Sequence, residues 1–273
     1  MSARTLTAPF PWFGGKSSVA PAVWAAIGDV PNYVEPFFGS GAVLLARPHA
    51  PRVETVNDAD GMLANFWRAV AADPEAVARH ADWPVNELDV HARNRWLMGE
   101  REAITAQLRA DPRWFDAEAA GWWCWGQCSS IPGNWMSRKG SSARPDILGN
   151  SAGRGVHRLT ATPREAMLAL HTRLRRVRVL CRDFAEALAP AVLLGDLSSE
   201  EPVGVFLDPP YSPRERDGRC YGPTDDASAS ARARAWCLGN GEDPRMRIVL
   251  CGYEGEHAMP PSWRSVPWSA HGG

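Results

Sequence analysis

Several features that would point away from an ordinary globular enzyme are missing. The six cysteines contain no C-x-x-C pair. Cys124 and Cys128 stand four residues apart among tryptophans, and with no second pair to complete a tetrahedral site they read as buried free thiols, so no metal is expected. No apolar run approaches the ~20 residues that span a bilayer. The start, Met1-Ser2-Ala3-Arg4-Thr5, has no apolar signal core, so membrane attachment and secretion are not expected. There is no internal repeat. Charge of one sign is also lacking overall, at −1 net. What remains is 273 residues at 45% hydrophobic and 22% charged, the composition of a globular protein with one large domain or a domain with an insertion.

The neutral total hides an uneven distribution. From Arg93 to Arg178 there are 15 Lys/Arg against 7 Asp/Glu, leaving 15 against 24 elsewhere. A basic middle between acidic ends fits a region that meets a polyanion; arginine-rich solvated helix faces give the same balance.

Periodicity gives an order of elements. Pro31 to Phe37 reads as a strand, Gly39-Ser40-Gly41 as a turn and Ala42-Val43-Leu44-Leu45 as a helix start. Val53 to Asp58 follows as a strand and Gly61 to Val70 as its helix, a β–α–β–α pattern that calls for a parallel α/β sheet. Asp73 to Trp125 is helical, broken at Asp73-Pro74 and Asp111-Pro112, and Gly126 to Thr162 dissolves into Gly, Ser, Pro, Asn and Arg. Regular structure resumes with a helix over Pro163–Arg176, a strand over Val177–Cys181, a helix start at Asp183, a strand over Val203–Leu207, a helix to about Leu238 and a strand over Arg247–Tyr253. The halves 1–72 and 177–273 are expected to build the sheet, with 73–176 inserted between them.

The most specific chemistry stands at Asp208-Pro209-Pro210-Tyr211, where an apolar strand opens into a loop. Ligands of open α/β sheets bind at that end. Asp208 can accept a hydrogen of an amino group. Pro209 and Pro210 carry no N–H and stiffen the turn, and Tyr211 offers a flat face to a base. The plain alternative is a proline-rich turn after a strand. A second site-like segment, Glu35-Pro36-Phe37-Phe38-Gly39-Ser40-Gly41, joins strand to helix through glycines that let a ligand approach the backbone. It lacks the third glycine of the dinucleotide fingerprint, and an acid at Glu35 suits a positively charged ligand better than a pyrophosphate. Asp58 ends the next strand, where an acid serves a ribose or caps a helix. Gly14-Gly15-Lys16-Ser17 is no phosphate loop, because Phe10 stands where its first glycine belongs and no strand precedes it.

Pro11-Trp12-Phe13-Gly14-Gly15-Lys16, Tyr33 to Val43, Val56-Asn57-Asp58, Asp183-Phe184 and Phe206 to Tyr211, in that order, resemble the Dam-type (D12 class) DNA adenine-N6 methyltransferases. The resemblance covers Pro9–Val70 and Val177–Tyr253. It implies a Rossmann-like sheet that uses S-adenosylmethionine, with a helical target-recognition insertion. It also implies that Trp12 and Lys16 line the methionine side of the cofactor pocket and that Glu35, Phe37, Gly39 and Gly41 form its loop. Asp58 would hold the ribose, and Asp183 and Phe184 the adenine ring. Gly121 to Trp135 departs from the family's recognition stretch, so no target sequence carries over, and its four tryptophans read mainly as core. Family members usually continue past a final strand, whereas this sequence stops at Gly273, so a terminal hairpin is expected to be absent.

On this reading Asp208 and the Pro209 carbonyl accept the two hydrogens of adenine N6 and expose its lone pair, while Tyr211 stacks on the displaced base. DNA is the expected partner, with Arg138, Lys139, Arg144, Arg154 and Arg158 as its phosphate contacts. The protein is expected in the cytoplasm as a monomer or weak dimer, and a cognate restriction enzyme stays unknown. Two readings remain open beside it: methylation of adenine N6 in RNA, and a DNA-binding relative with impaired catalysis.

Overall fold

Five short strands pair side by side, all parallel, in the order β3-β2-β1-β4-β5. They are β1 (Asn32–Glu35), β2 (Val53–Asn57), β3 (Val177–Leu180), β4 (Val203–Leu207) and β5 (Met246–Leu250). All five strands expected from the sequence are present, each at its expected place and most a residue or more shorter. The computed structural model describes residues 6–12, 15–130, 135–136, 162–195, 200–211 and 228–269. The α/β class is the one the sequence calls for.

Register sets where the chemistry falls. Asn32 of β1 stands opposite both Val53 and Val203, Glu54 opposite Val177, and Val203 opposite Met246. The strands therefore start nearly level and end nearly level. Glu35, the last residue of β1, and Asp58, Asp183 and Asp208, which follow β2, β3 and β4, consequently gather at one carboxyl edge. The strand order reverses direction between β1 and β4, and that switch point is where a ligand crevice opens in such sheets.

Central strands β1 and β4 are buried along their whole length, while β3 and β5 at the edges are partly exposed. That is the pattern of a parallel sheet covered on both faces. Alternation then sends neighbouring residues to two separate cores. Tyr33 and Phe206 face a large core with α1 (Ala20–Ile27), α2 (Ala42–Leu45) and α3 (Gly61–Ala72). Val34, Val203, Val205 and Leu207 face a smaller one with α8 (Phe184–Ala187), α9 (Pro190–Leu194) and α10 (Ala229–Asn240).

Between α3 and β3 the chain forms α4 (Pro74–Ala81), α5 (Glu87–Ala110), α6 (Ala117–Ser129) and α7 (Pro163–Leu174). Side-chain caps start them: Asp73 accepts from Ala76 N–H at 2.9 Å, Asp116 from Ala119 at 2.8 Å and Thr162 from Glu165 at 3.2 Å. Asp111 closes α5 at the expected break. These helices pack on α3 and on one another, so the inserted segment shares the large core. Trp123, Trp125 and Trp135 lie in that core and Trp122 is half-buried against it, as expected for most of the tryptophans. Cys124 and Cys128 are buried free thiols there, both directed at the Pro9 carbonyl. Glu54, fully buried on β2, pairs with Arg47 at 3.0 Å and with Arg173 at 2.6 Å, which fastens α7 to the sheet.

Candidate active site at the carboxyl edge of the sheet

The Pro36–Gly41 turn is shaped by its own side chains. Gly39 and Gly41 have φ of +48° and +71°, the left-handed region that favours glycine. A Cβ on Gly39 would lie 2.5 Å from the Trp12 indole nitrogen, so Trp12 rests on the turn. Gly39 N–H donates to the Asp58 carboxylate at 3.0 Å. The other Asp58 oxygen accepts from Asp60 N–H at 3.0 Å, and it is Asp60, not Asp58, that caps α3 through Met62 N–H. The cap alternative for Asp58 is therefore corrected: α3 begins two residues later than that assignment needs. The helix after the turn, α2, is a single turn of four residues.

Asn57, which the sequence showed only as part of a motif, ties two loops together. Its amide donates to the carbonyls of Pro36 and Arg182, both at 3.0 Å, and accepts from Arg182 N–H at 3.1 Å. This fixes the turn after β1 against the turn after β3. Asp183 starts α8 by accepting from Ala185 N–H at 2.9 Å. Arg232 of α10 reaches across to the same carboxylate with both terminal nitrogens, at 3.0 and 2.6 Å. Its guanidinium lies over the Phe184 ring at 4.8 Å, and Phe184 packs on Phe37 at 4.9 Å. Asp183, Phe184 and Phe37 thus form one aromatic-and-acid corner. Periodicity gave no hint that Arg232 joins it, since a distant helix supplies that residue.

On the other side of the switch point, Lys16 Nζ lies 2.6 Å from Asp208 Oδ2, and the Tyr211 hydroxyl donates to Oδ1 at 3.1 Å. Both carboxylate oxygens are therefore engaged. Lys16 is 6% exposed, a charge buried because its counter-ion is in contact. The rings of Tyr211 and Trp268 lie 5.4 and 5.0 Å from its ammonium. Tyr211 in turn packs edge-on against Tyr253 at 4.7 Å. Tyr253 and Trp268 carried no signal in the sequence beyond being aromatic.

Glu35 completes the group from below. It is 2% exposed and accepts a hydrogen bond from Tyr33 Oη at 2.9 Å. Burial pushes its carboxyl well above the usual range, against the pull of the Tyr33 bond, and the nearby Asp208 charge pushes the same way. Burial likewise raises Tyr33 and the Cys251 thiol beside Asp208. Glu35 is therefore held toward its neutral form and does not offer an open negative charge.

A glycine turn braced by Trp12, acids ending β2, β3 and β4, and Lys16 on the β4 acid all meet at one sheet edge. Residues 12–92 match the D12 class N6 adenine-specific DNA methyltransferases. That family methylates adenine N6 in DNA, and methyltransferases of this kind generally use S-adenosylmethionine. A D12 class N6 adenine-specific DNA methyltransferase domain is thus detected in residues 12–92, and the substrate of that family is DNA. The matched stretch holds Trp12, Lys16, Glu35, Phe37, Gly39, Gly41 and Asp58, while Asp183, Phe184 and Asp208 to Tyr211 lie beyond it. No curated protein matches the chain.

The groups at this edge have the chemistry that a sulfonium nucleoside calls for. Asp183 and the Phe184–Phe37 pair offer an acceptor and a flat face for an adenine. Asp58 offers carboxylate oxygens beside the glycine turn, though the turn already uses them. The expected phosphate contacts Arg138, Lys139, Arg144, Arg154 and Arg158 lie outside the described residues. Among the described residues no helix is long and apolar enough to cross a membrane, and no strand follows β5.

Proposed function

We propose that S-adenosylmethionine is the methyl donor and that Asp208 is the residue that receives the target adenine's amino group. The observation that carries this is the engagement of Asp208 by Lys16: a carboxylate at the switch point is held ready for an N–H donor, and a cation occupies that place. Trp12, Lys16, Glu35, Phe37, Gly39, Gly41, Asp58, Asp183 and Phe184 are the residues assigned to the cofactor. When bound, the cofactor supplies an electrophilic methyl group.

Adenine N6 is a poor nucleophile because its lone pair is delocalised into the ring. Asp208 accepting one N6 hydrogen and the Pro209 carbonyl the other would draw the nitrogen out of conjugation. Preorganised acceptors of this kind cost no reorganisation at the moment of reaction. Pro210 stiffens the turn, and Tyr211 orients Asp208 through its hydroxyl. Lys16 must yield Oδ2 before an amine can reach it. The base must also leave its duplex stack. We assign 1–72 and 177–273 to the catalytic unit and 73–176 to target recognition, with Arg138, Lys139, Arg144, Arg154 and Arg158 on DNA phosphates. A cytoplasmic monomer or weak dimer, with or without a restriction partner, accords with that role.

The test is transfer of a labelled methyl group to unmethylated duplex DNA, single-stranded DNA and RNA in parallel. Transfer to DNA is expected, falling by about 10²–10³-fold in Asp208→Asn with cofactor affinity retained. Transfer to RNA alone would favour the RNA reading, and a fully active Asp208→Asn would refute the role given to Asp208.

A further inference from the structure

We propose that Trp268 is a contact for the target base and forms, with Tyr211, the walls of the slot that leads to Asp208. This rests on the reading that Asp208 takes the target amine. In the structure that place is held by the Lys16 ammonium, 2.6 Å from Asp208 Oδ2. Lys Nζ and an exocyclic adenine nitrogen are both N–H donors, so the amine takes up the ammonium's position when it replaces it. The purine ring then begins one bond from that point. Ring centroids at 5.4 Å (Tyr211) and 5.0 Å (Trp268) from Nζ fall within the separation at which aromatic rings pack on one another.

Tyr211 is poorly placed to serve alone. It is only 8% exposed, its ring packs edge-on against Tyr253, and its hydroxyl is bound to Asp208. Trp268 has no such commitment to the carboxylate. It sits half-buried against the large core at the end of a strap that follows β5. That strap is fastened along its length. Cys251 N–H donates to Leu207 O at 2.8 Å, at the root of the Asp208 loop. Arg234 Nε of α10 donates to Ala258 O at 2.9 Å. Trp263 lodges against Gly241, where an added Cβ would meet its indole at 2.8 Å. The indole of Trp268 is thus delivered over the catalytic pair by packing at several points. Lys16 is as buried as it is partly because this ring covers it.

Trp268→Leu and Trp268→Phe separate stacking from packing, because leucine keeps apolar bulk without a ring and phenylalanine keeps the ring. Measured together are kcat and KM on unmethylated DNA, the S-adenosylmethionine dissociation constant and the melting temperature. Loss of one base–aromatic stack predicts a fall in kcat/KM of about 5- to 160-fold in Trp268→Leu. Cofactor affinity should stay within about twofold, and Trp268→Phe should recover most of the loss. Wild-type kcat/KM in Trp268→Leu, or a rise, overturns the proposal, as does an equal loss in both variants. A drop confined to cofactor affinity overturns it too, by placing the indole on the cofactor instead. Wild-type protein that transfers no methyl group would fail the underlying reading, a result distinct from any of these.

Discussion

Replacing Arg232 by alanine should tighten the binding of S-adenosylmethionine. In the structure Arg232 does to Asp183 and Phe184 what an adenine would do: it donates two N–H groups to the carboxylate and lays a flat π-system on the ring. A ligand that uses that corner must first lift the guanidinium. The cost can be worked from the parts. Both side chains of the ion pair are 41% exposed, so the pair contributes only about 0.2–1 kcal/mol. The stack of the partly exposed guanidinium on the Phe184 ring adds about 0.5–1 kcal/mol. Together they oppose binding by about 0.7–2 kcal/mol, and removing them should lower the dissociation constant by about 3- to 30-fold.

Calorimetry on wild type and Arg232→Ala, with the cofactor and with its demethylated product, gives the comparison directly. Because the pair is exposed, raising salt from about 0.1 to 1 M, which shortens the screening length from about 10 to 3 Å, should narrow the gap. Both ligands should respond equally, since they share the adenosine end. Equal or weaker binding in Arg232→Ala would refute the reasoning and would mean that the guanidinium clasps the ligand from outside.

Two other outcomes follow from buried charge. Glu54→Gln leaves Arg47 and Arg173 around an uncharged group inside the protein, a loss of about 3–5 kcal/mol that should appear as a melting temperature lower by about 6–20 °C. Glu35→Gln should stabilise the fold in a pH-dependent way. Burial holds the Glu35 carboxyl above its unfolded value of about 4.3, so the folded state binds the extra proton and wild-type stability falls as pH rises through that window. Thermal melts should therefore show no advantage for Glu35→Gln below about pH 4 and a growing one above it; an advantage that shrinks with pH would mean that Glu35 is ionised in the fold.

Strands and most helices were legible because their signal is local. Val203 to Leu207 is a continuous apolar run, and a strand buried on both faces needs one. Helix α1 was missed although Ala20, Val23, Trp24 and Ile27 mark a buried face at helical spacing; Pro21 reads as a breaker yet sits in the first turn, where its missing N–H costs nothing. The acids of the site were legible for a similar reason, since each ends a strand and a parallel sheet brings strand ends together. Their partners were not. Arg232 meets Asp183 across 49 residues and Trp268 meets Lys16 across the whole chain. Such pairs are set by how α10 and the final strap pack, and nothing in the spacing of charges or aromatics records that.

Three of the four acids at the carboxyl edge have a resident cation or are held toward neutrality, while the fourth, Asp58, accepts two backbone N–H groups. Asp208 has Lys16, Asp183 has Arg232, and Glu35 is pushed toward its protonated form. Ligand binding is then an exchange of N–H donors on a carboxylate rather than the filling of an empty charge. The exchange is not equal at Asp208. An adenine amine is neutral, so replacing the ammonium with it removes a favourable ion pair of about 6 kcal/mol at the observed 2.6 Å in a medium of effective dielectric 20. Withdrawing the ammonium to about 6 Å keeps roughly two-fifths of that, while sending it into solvent forfeits nearly all. The walls favour the first course. Lys16 is enclosed by Tyr211 and Trp268, both of which attract a cation to their faces. On the proposed role of Asp208, the motion that would admit the base is a short swing of Lys16 along aromatic walls, with its charge still felt by Asp208.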